Sequence, residues 1–283
     1  MNMQSPRLQR PALLQAKLRQ ARGDADGARA LLEQVLALEP DLGHAHLALA
    51  RLRWPGPEHH AVLGWLHELR KPALYLEIGV ERGLSLALAQ APTVVVGVDP
   101  QPIGDPLASC RATAALYPMR SAQFLAAPPD GCALHDHGFD LAFVDGDHRF
   151  EAVLDDFIAL ERWAAPGALV VLHDTLPLNS RTAAPTRGTS FYSGDGWKLL
   201  PCLRALRPTL RLVTLPVSPT GLTLITGLDP SSDTLYTRRQ DILDSYAGVS
   251  AQRATEQPAA VLGPLGVNDR TWIADWLRTA ECA

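Results

Sequence analysis

The sequence predicts a doubly wound α/β fold, in which helices cover both faces of a mostly parallel sheet. The 283-residue chain has 47% hydrophobic and 20% charged residues, the balance of an ordinary globular protein. Between residues 57 and 230, apolar runs of strand length alternate with helical runs, which favours parallel strands. Residues 216–221 alone join the last two predicted strands. That link is too short for a crossover, so this pair is predicted to be antiparallel.

The individual elements follow from the apolar periodicity of this region. The predicted strands span residues 73–78, 93–99, 122–126, 140–145, 168–173, 210–215 and 222–227. The predicted helices span residues 58–70, 83–90, 108–117, 150–163 and 197–206. In such a sheet the carboxyl ends of the parallel strands meet at one edge, which is where ligands bind.

Residues 1–56 are predicted to form a small region that is entirely helical. Its three amphipathic runs cover residues 12–22, 26–38 and 44–53. Gly23, Ala28 and Pro40 stand at spacings that resemble one tetratricopeptide repeat and the first helix of another. So few repeats cannot bury their own core, and we expect the region to pack against the rest of the chain or another subunit. A homodimer contact and a docking surface for a protein partner are both open.

Residues 231–283 are predicted to be a helical tail, with helical patches at 234–246 and 271–279 around a linker of Gln, Pro and Ala. No run in the chain approaches the length of a membrane span, and residues 1–10 lack the apolar core of a leader peptide. The net charge of -4 offers no surface for a nucleic-acid backbone. Scattered cysteines without a CxxC pair indicate a reducing cytoplasm and no structural zinc; they are Cys110, Cys132, Cys202 and Cys282.

A glycine turn follows the first predicted strand and opens a helix. A dinucleotide fingerprint would place its second glycine where this chain has Glu81, whose carboxylate would repel a diphosphate. The turn therefore disfavours a nicotinamide oxidoreductase and suits a cationic ligand, such as the sulfonium of S-adenosylmethionine. Asp99 ends the second strand, where a carboxylate accepts hydrogen bonds from ribose hydroxyls.

The pattern Glu77-x-Gly79-x-x-x-Gly83, followed by Asp99, resembles the class I S-adenosylmethionine-dependent methyltransferases. The resemblance spans about residues 60–230. It implies a Rossmann-like sheet of seven strands in the order 3-2-1-4-5-7-6, with the last strand antiparallel. The implied cofactor-binding residues are Glu77, Gly79, Gly83, Ser85, Asp99 and Asp145.

Carboxylates and imidazoles cluster at the ends of the fourth and fifth predicted strands, and the predicted catalytic residues are Asp145, His148, His173 and Asp174. Such groups are costly to desolvate unless they bind or react. These segments are similar to small-molecule and sugar O-methyltransferases, some of which bind a divalent cation such as Mg²⁺. The resemblance implicates Asp145 and Asp174 as ligands, although Thr175 replaces the Asn or Asp of metal-dependent relatives. Without metal, His148 or His173 is expected to act as general base.

Residues 177–196 are predicted to form a lid over the acceptor pocket. Its arginines, Arg181 and Arg187, are expected to hold an acidic substrate, and Phe191, Tyr192 and Trp197 to form an apolar wall. The acceptor class stays open between a sugar, a natural-product intermediate and a carrier-bound molecule. The alternative to an enzyme is an interaction scaffold, with a partner on the N-terminal helices and a degenerate α/β domain.

Overall fold

A seven-stranded sheet lies at the centre of the protein, of which the computed structural model describes residues 6–281. The strands are β1 (Leu74–Ile78), β2 (Val94–Val98), β3 (Thr113–Tyr117), β4 (Phe139–Val144), β5 (Ala164–His173), β6 (Arg211–Leu215) and β7 (Leu222–Thr226). Their order is β3-β2-β1-β4-β5-β7-β6. The first five strands are parallel, and β7 is antiparallel to both β5 and β6. The predicted Rossmann-like fold and its strand order are confirmed.

Helices surround this sheet, and helices also make up the N-terminal and C-terminal parts of the chain. They are α1 (Pro6–Ala21), α2 (Ala25–Leu38), α3 (Gly43–Arg53), α4 (His59–Arg70), α5 (Ser121–Ala126), α6 (Leu134–His137), α7 (Phe150–Glu161), α8 (Leu199–Leu206), α9 (Thr234–Thr237), α10 (Arg239–Tyr246), α11 (Ala251–Glu256), α12 (Pro258–Leu262) and α13 (Arg270–Glu281). None of them, within residues 6–281, is long and apolar enough to cross a membrane.

The central strands are buried along their whole length. All five residues of β1 and of β7 are shielded from solvent, as expected when both faces of a sheet are covered. The parallel strands direct their carboxyl ends to the same edge. That edge is where the turn after β1 meets the acidic segments after β4 and β5.

The third strand lies elsewhere than predicted. Residues 108–117 were expected to be helical, yet Thr113–Tyr117 is β3 and pairs in register with β2. Residues 122–126 were expected to be a strand and belong to α5 instead. Both runs are short and apolar, so periodicity alone cannot separate strand from helix. The helix predicted at 83–90 is also wrong, because only a 3₁₀ turn at Leu86–Leu88 forms there.

The N-terminal helices form as predicted and pack onto the rest of the chain. Ala28, Leu32 and Leu49 belong to the same buried cluster as Leu178 of the lid and Ala254 of α11. The region therefore buries part of its apolar surface within the chain itself, as the shortage of repeats requires. Its resemblance to a tetratricopeptide repeat stays a prediction, as do the domain boundaries at 56 and 230.

Candidate active site

The turn after β1 is pressed against the end of β4, which only glycine permits. Gly79 has φ +87°, and a Cβ there would lie 2.2 Å from the carbonyl oxygen of Asp145. Gly83 has φ +75°, and a Cβ there would lie 2.1 Å from the carbonyl oxygen of Pro106. The two glycines thus let backbone come within contact distance of two other segments.

Asp99 holds this turn by hydrogen bonds to its backbone. Its Oδ2 accepts from the N–H groups of Val80 (3.0 Å) and Glu81 (2.8 Å), and its Oδ1 accepts from the N–H of Gln101 (2.7 Å). Glu81 adopts φ +47°, a conformation that costs energy in residues other than glycine. The Asp99 carboxylate borders the main cavity, so it both shapes the turn and faces the predicted cofactor position.

Glu77 lies beneath the turn and not at the surface of the cavity. Its carboxyl group is fully buried and accepts hydrogen bonds from the hydroxyls of Tyr75 and Ser85, each at 2.6 Å. Burial raises the pKa of Glu77 to about 8. Glu77 was expected to bind the cofactor, whereas in the structure its carboxyl group orients Ser85, which does line the cavity. Its contact with cofactor stays a prediction.

One cavity of about 920 Å³ runs from this turn to the lid, a volume that suits a cofactor and an acceptor together. Gly79, Ser85 and Asp99 line one part of it. The lining residues on the other side include Asp145, His148, His173, Asp174, Arg187, Phe191 and Tyr192. Gly83 does not reach this surface, and its role is to let the turn approach Pro106.

The four predicted catalytic residues meet as two carboxylate–imidazole pairs. The Nδ1 of His173 lies 2.9 Å from Oδ1 of Asp145, and the Nδ1 of His148 lies 2.6 Å from Oδ2 of Asp174. The pairs are joined, because Nδ1 of His173 is also 3.5 Å from Oδ1 of Asp174. Thr220 donates a hydrogen bond to Asp174 from the link between β6 and β7.

The carboxylates dominate the electrostatics of this cluster. Burial alone would lower the pKa of both histidines, but the charge of Asp145 and Asp174 raises the pKa of His173 to about 9. Asp174, through its charge and hydrogen bond, likewise raises the pKa of His148 to about 9 against the effect of burial. The positive imidazoles in turn outweigh the burial of Asp174 and hold its pKa well below the usual range.

Asp174 keeps its place at a cost in backbone energy. It has φ +56° although it is neither glycine nor asparagine, and it is almost completely buried. Conformations of this kind cost about 1–3 kcal/mol and persist where the surrounding structure demands them. The turn after β5 thereby directs the carboxylate toward His148 instead of continuing the strand.

Two histidines that the sequence analysis missed complete this wall of the cavity. His59 and His60 begin α4; the ring of His59 lies 4.5 Å from that of His173 and 4.0 Å from that of His60, measured between centroids. The His59 N–H donates to the carbonyl of Ser218 at 3.1 Å, which anchors the helix. Burial lowers the pKa of His59 to about 3, so its imidazole is neutral at pH 7. No motif surrounds this pair; only the packing of α4 reveals it.

The lid lies against the cluster, but two of its predicted roles are wrong. Arg187, Phe191 and Tyr192 line the main cavity as expected. Arg181 instead lines a second cavity, because residues 178–181 run beside the N-terminal helices. Trp197 is fully buried in the core and forms no wall, since it lies in the middle of the 3₁₀ turn Gly196–Lys198 that leads into α8.

The end of the lid is attached to the segment that carries His148. The N–H of Gly196 donates to the carbonyl of His148 at 2.8 Å, and Asp195 accepts a hydrogen bond from the N–H of Phe150 at 2.8 Å. Asp195 thereby satisfies a backbone donor at the start of α7. It also forms a buried ion pair of 3.0 Å with Lys198. Lid position and His148 position are therefore linked.

The cluster has donor atoms that fit a divalent cation. Asp145, His148 and Asp174 each offer one ligand atom, and these atoms lie within 4.8 Å of one another. Two carboxylate oxygens and an imidazole nitrogen are a common ligand set for divalent metals. The buried hydroxyl of Thr175, which follows Asp174, has no hydrogen-bond partner in the described part of the chain.

The strand order, with the site at the edge of the sheet, is the arrangement that the resemblance to class I methyltransferases implies. Residues 76–175, from β1 to just beyond β5, match the profile of a family described as "Methyltransferase domain". This stretch of the chain is therefore similar to methyltransferases, and the rest of the chain lies outside the match. No protein of curated function matches the sequence significantly.

Several solved structures are similar to the chain. A cofactor-bound protein from MTB is 18% identical, with 66% of this chain and 88% of that chain covered and a TM-score of 0.47. A putative O-methyltransferase from Klebsiella pneumoniae is 18% identical, with 66% and 89% covered and a TM-score of 0.43. An O-methyltransferase of tomaymycin synthesis from Streptomyces achromogenes, in complex with SAM, is 19% identical, with 67% and 91% covered and a TM-score of 0.43.

Proposed function

We propose that the protein transfers the methyl group of S-adenosylmethionine to a hydroxyl oxygen of a small molecule. The observation that carries this proposal is the continuous cavity with two chemically different ends. One end is the Gly79 turn with Asp99, and the other is the pair of carboxylate–imidazole contacts beside the lid. When bound, the cofactor supplies an activated methyl group, so the protein has to position the acceptor and accept one proton.

The turn after β1 supports cofactor binding through its shape and its charge. Gly79 lines the cavity where the turn approaches Asp145, and Asp99 has oxygen lone pairs for ribose hydroxyls beyond those used by the turn. Glu81, two positions after Gly79, lines the same cavity and would repel a dinucleotide phosphate. Asp145 borders the cavity beside Gly79, which supports its proposed contact with the cofactor. Glu77 and Gly83 support this surface from behind.

His148 is better placed than His173 to take the proton of the acceptor, in the neutral form that becomes populated as the pH approaches its pKa of about 9. Its side chain is 28% exposed, against 8% for His173, and Asp174 occupies its Nδ1, which leaves Nε2 for an acceptor hydroxyl. The Nε2 of His173 is buried without a hydrogen-bond partner in the described residues. His173 therefore acts as a positioning residue that holds Asp145, while Asp174 orients His148.

A divalent cation is the second candidate, and the ligand geometry favours it. Asp145, His148 and Asp174 would hold an ion such as Mg²⁺ or Mn²⁺, with His173 donating to Asp145 from behind. A cation there would orient the acceptor oxygen and lower its pKa. In that case His148 is a ligand and not the base.

Isothermal titration with S-adenosylhomocysteine tests the proposed cofactor site. We expect binding to the wild type, loss of binding in Asp99→Ala, and no change in the control Asp130→Asn, which removes an exposed acid far along the chain. NAD should give no heat. A folded wild-type protein that gives no heat with S-adenosylhomocysteine would overturn the proposal and favour the scaffold alternative.

The two catalytic alternatives separate in a metal titration. EDTA-treated protein is titrated with Mn²⁺, and Asp145→Asn serves as the variant. Heat in the wild type that is lost in Asp145→Asn supports the cation. If neither the wild type nor Asp145→Asn gives heat, and methyl transfer to hydroxylated acceptors continues in the presence of EDTA, His148 is the group that accepts the proton of the acceptor hydroxyl. Activity that survives His148→Gln in EDTA contradicts that assignment.

We also propose a homodimer through the N-terminal helices, in a reducing cytoplasm. Leu14, Leu18 and Leu38 are large apolar side chains that remain exposed on α1 and α2, and Leu38 is 82% exposed. Covering them against a second copy would remove apolar surface from water. Light scattering at micromolar concentration tests the dimer, and a monomeric mass counts against it.

A further inference from the structure

A second cavity of about 580 Å³ lies outside the candidate active site. It is formed where α2 and α3 face the first residues of the lid and α11. Leu36, Leu49 and Leu178 line it with apolar surface, and the charged side chains that line it are Arg29, Glu33, Arg53 and Arg181. No step of the proposed methyl transfer uses this cavity.

The charges around the second cavity are unbalanced. Three guanidinium groups face one carboxylate, that of Glu33, which leaves a net charge of +2. Burial lowers the pKa of Arg53, and the positive charge of Arg29 lowers it further. Arg29 has an ion pair with Asp26 at 2.5 Å, but Asp26 is 91% exposed, so water screens this pair. The cations are thus held together although they repel one another.

Arg53 is fixed in place by the surrounding backbone. Its guanidinium donates to the carbonyl of Leu178 at 2.9 Å and to the carbonyl of Thr255, and it lies 5.3 Å from the ring centroid of Trp54. The side chain has therefore already lost its rotamer freedom before any ligand arrives. Such preorganisation reduces the entropic cost of binding.

We propose that the second cavity binds a phosphate monoester carried on an apolar group. The two negative charges of the phosphate match the net charge of the lining, and guanidinium groups bind phosphate oxygens in pairs. The apolar surface of Leu36, Leu49 and Leu178 receives the rest of the molecule. A volume near 600 Å³ is typical of sites for small organic ligands.

The ligand would lie beside the contacts that hold the lid. His46 lines the second cavity, and its ring lies 5.5 Å from the ring of Phe191, which lines the active-site cavity. Asn179, also in the second cavity, lies 3.3 Å from Nδ1 of His46. At this point the stacked rings of His46 and Phe191 lie between the two cavities. The proposal does not depend on the methyl-transfer activity.

Calorimetric titration of the full-length protein with phenyl phosphate tests this site. We expect binding to the wild type, at least about tenfold weaker binding in the double variant Arg29→Gln, Arg181→Gln, and weakening by salt. Both arginines are exposed, so the double variant should fold, which circular dichroism checks. Arg278→Gln, an exposed arginine on α13, is the matched control and should bind as the wild type does.

Benzoate separates a phosphate site from a general anion site. Benzoate has the same apolar ring with a single negative charge, so we expect it to bind more weakly than phenyl phosphate. Equal affinity of the two ligands would overturn the proposed charge match. No heat with phenyl phosphate up to about 10 mM, or equal affinity in the wild type and the double variant, would overturn the site itself.

Discussion

Removal of the Asp195 carboxylate should destabilise the protein and loosen the lid at the same time. In Asp195→Ala, the carbonyl of Ala247 at 2.9 Å is the one partner that Lys198 keeps among the described residues, and its charge stays buried and unpaired. Breaking such a pair costs about 3–5 kcal/mol. The N–H of Phe150 also loses its acceptor, which adds about 1 kcal/mol. The expected loss in the free energy of unfolding is therefore about 4–6 kcal/mol.

Urea denaturation of single and double variants measures this loss. Lys198→Met alone leaves the Asp195 charge unpaired but keeps the hydrogen bond to Phe150, so it should cost less than Asp195→Ala. Because the unpaired charge disappears in the double variant Asp195→Ala, Lys198→Met, it should be more stable than Asp195→Ala alone. A loss below about 1 kcal/mol in Asp195→Ala, or strict additivity of the two changes, would refute this account of the lid attachment.

Two further changes probe the turn and the wall of the active site, and a third probes His67 on the buried face of α4. Gly79→Ala places a Cβ 2.2 Å from the carbonyl oxygen of Asp145, so calorimetry should show no S-adenosylhomocysteine binding. An affinity near that of the wild type would show that the turn can shift to accommodate the side chain. Burial lowers the pKa of His67 in the folded protein to about 4, below the value of 6.5 that it has in the unfolded chain. Between these two pH values, the His67 imidazole is therefore protonated in the unfolded chain and neutral in the folded protein. The contribution of His67 to the free energy of unfolding should therefore fall by about 3 kcal/mol as the pH is lowered from 6.5 to 4. Denaturation of His67→Phe across that pH range should show a decrease that is smaller than in the wild type by this amount. His59→Phe keeps an aromatic ring against His173 and removes a buried Nδ1 that has no partner among the described residues. The free energy of unfolding should therefore change by less than about 1 kcal/mol. A larger loss in urea denaturation would show that the His59 side chain makes a hydrogen bond.

The residues of the candidate active site form two groups, which the fold brings together in different ways. Asp145 and Asp174 come from adjacent strands, so the parallel sheet alone brings them to one edge. His59 and Ser218 come from segments that are far apart in sequence, and their contact forms only when α4 packs beside the link between β6 and β7. The position of the first group could be predicted from motifs, while that of the second group required the complete fold.

The same distinction explains the errors in the third strand and the lid. Thr113–Tyr117 is an edge strand whose residues alternate only weakly in burial, so its identity depends on pairing with β2. Arg181 and Arg187 are six positions apart in one loop, yet they line different cavities. Loop composition indicates that such residues are exposed, but it carries no information on which neighbouring element they meet.

The amino-acid sequence by itself determined the doubly wound sheet, the glycine turn after β1 and the acidic segments after β4 and β5. Local periodicity and the convergence of parallel strand ends are sufficient for these features. Only the tertiary structure decided that Glu77 is buried beneath the turn, that His59 stacks on His173 and that three arginines share a second cavity. Each of these depends on contacts between segments distant along the chain, and no local pattern encodes such contacts.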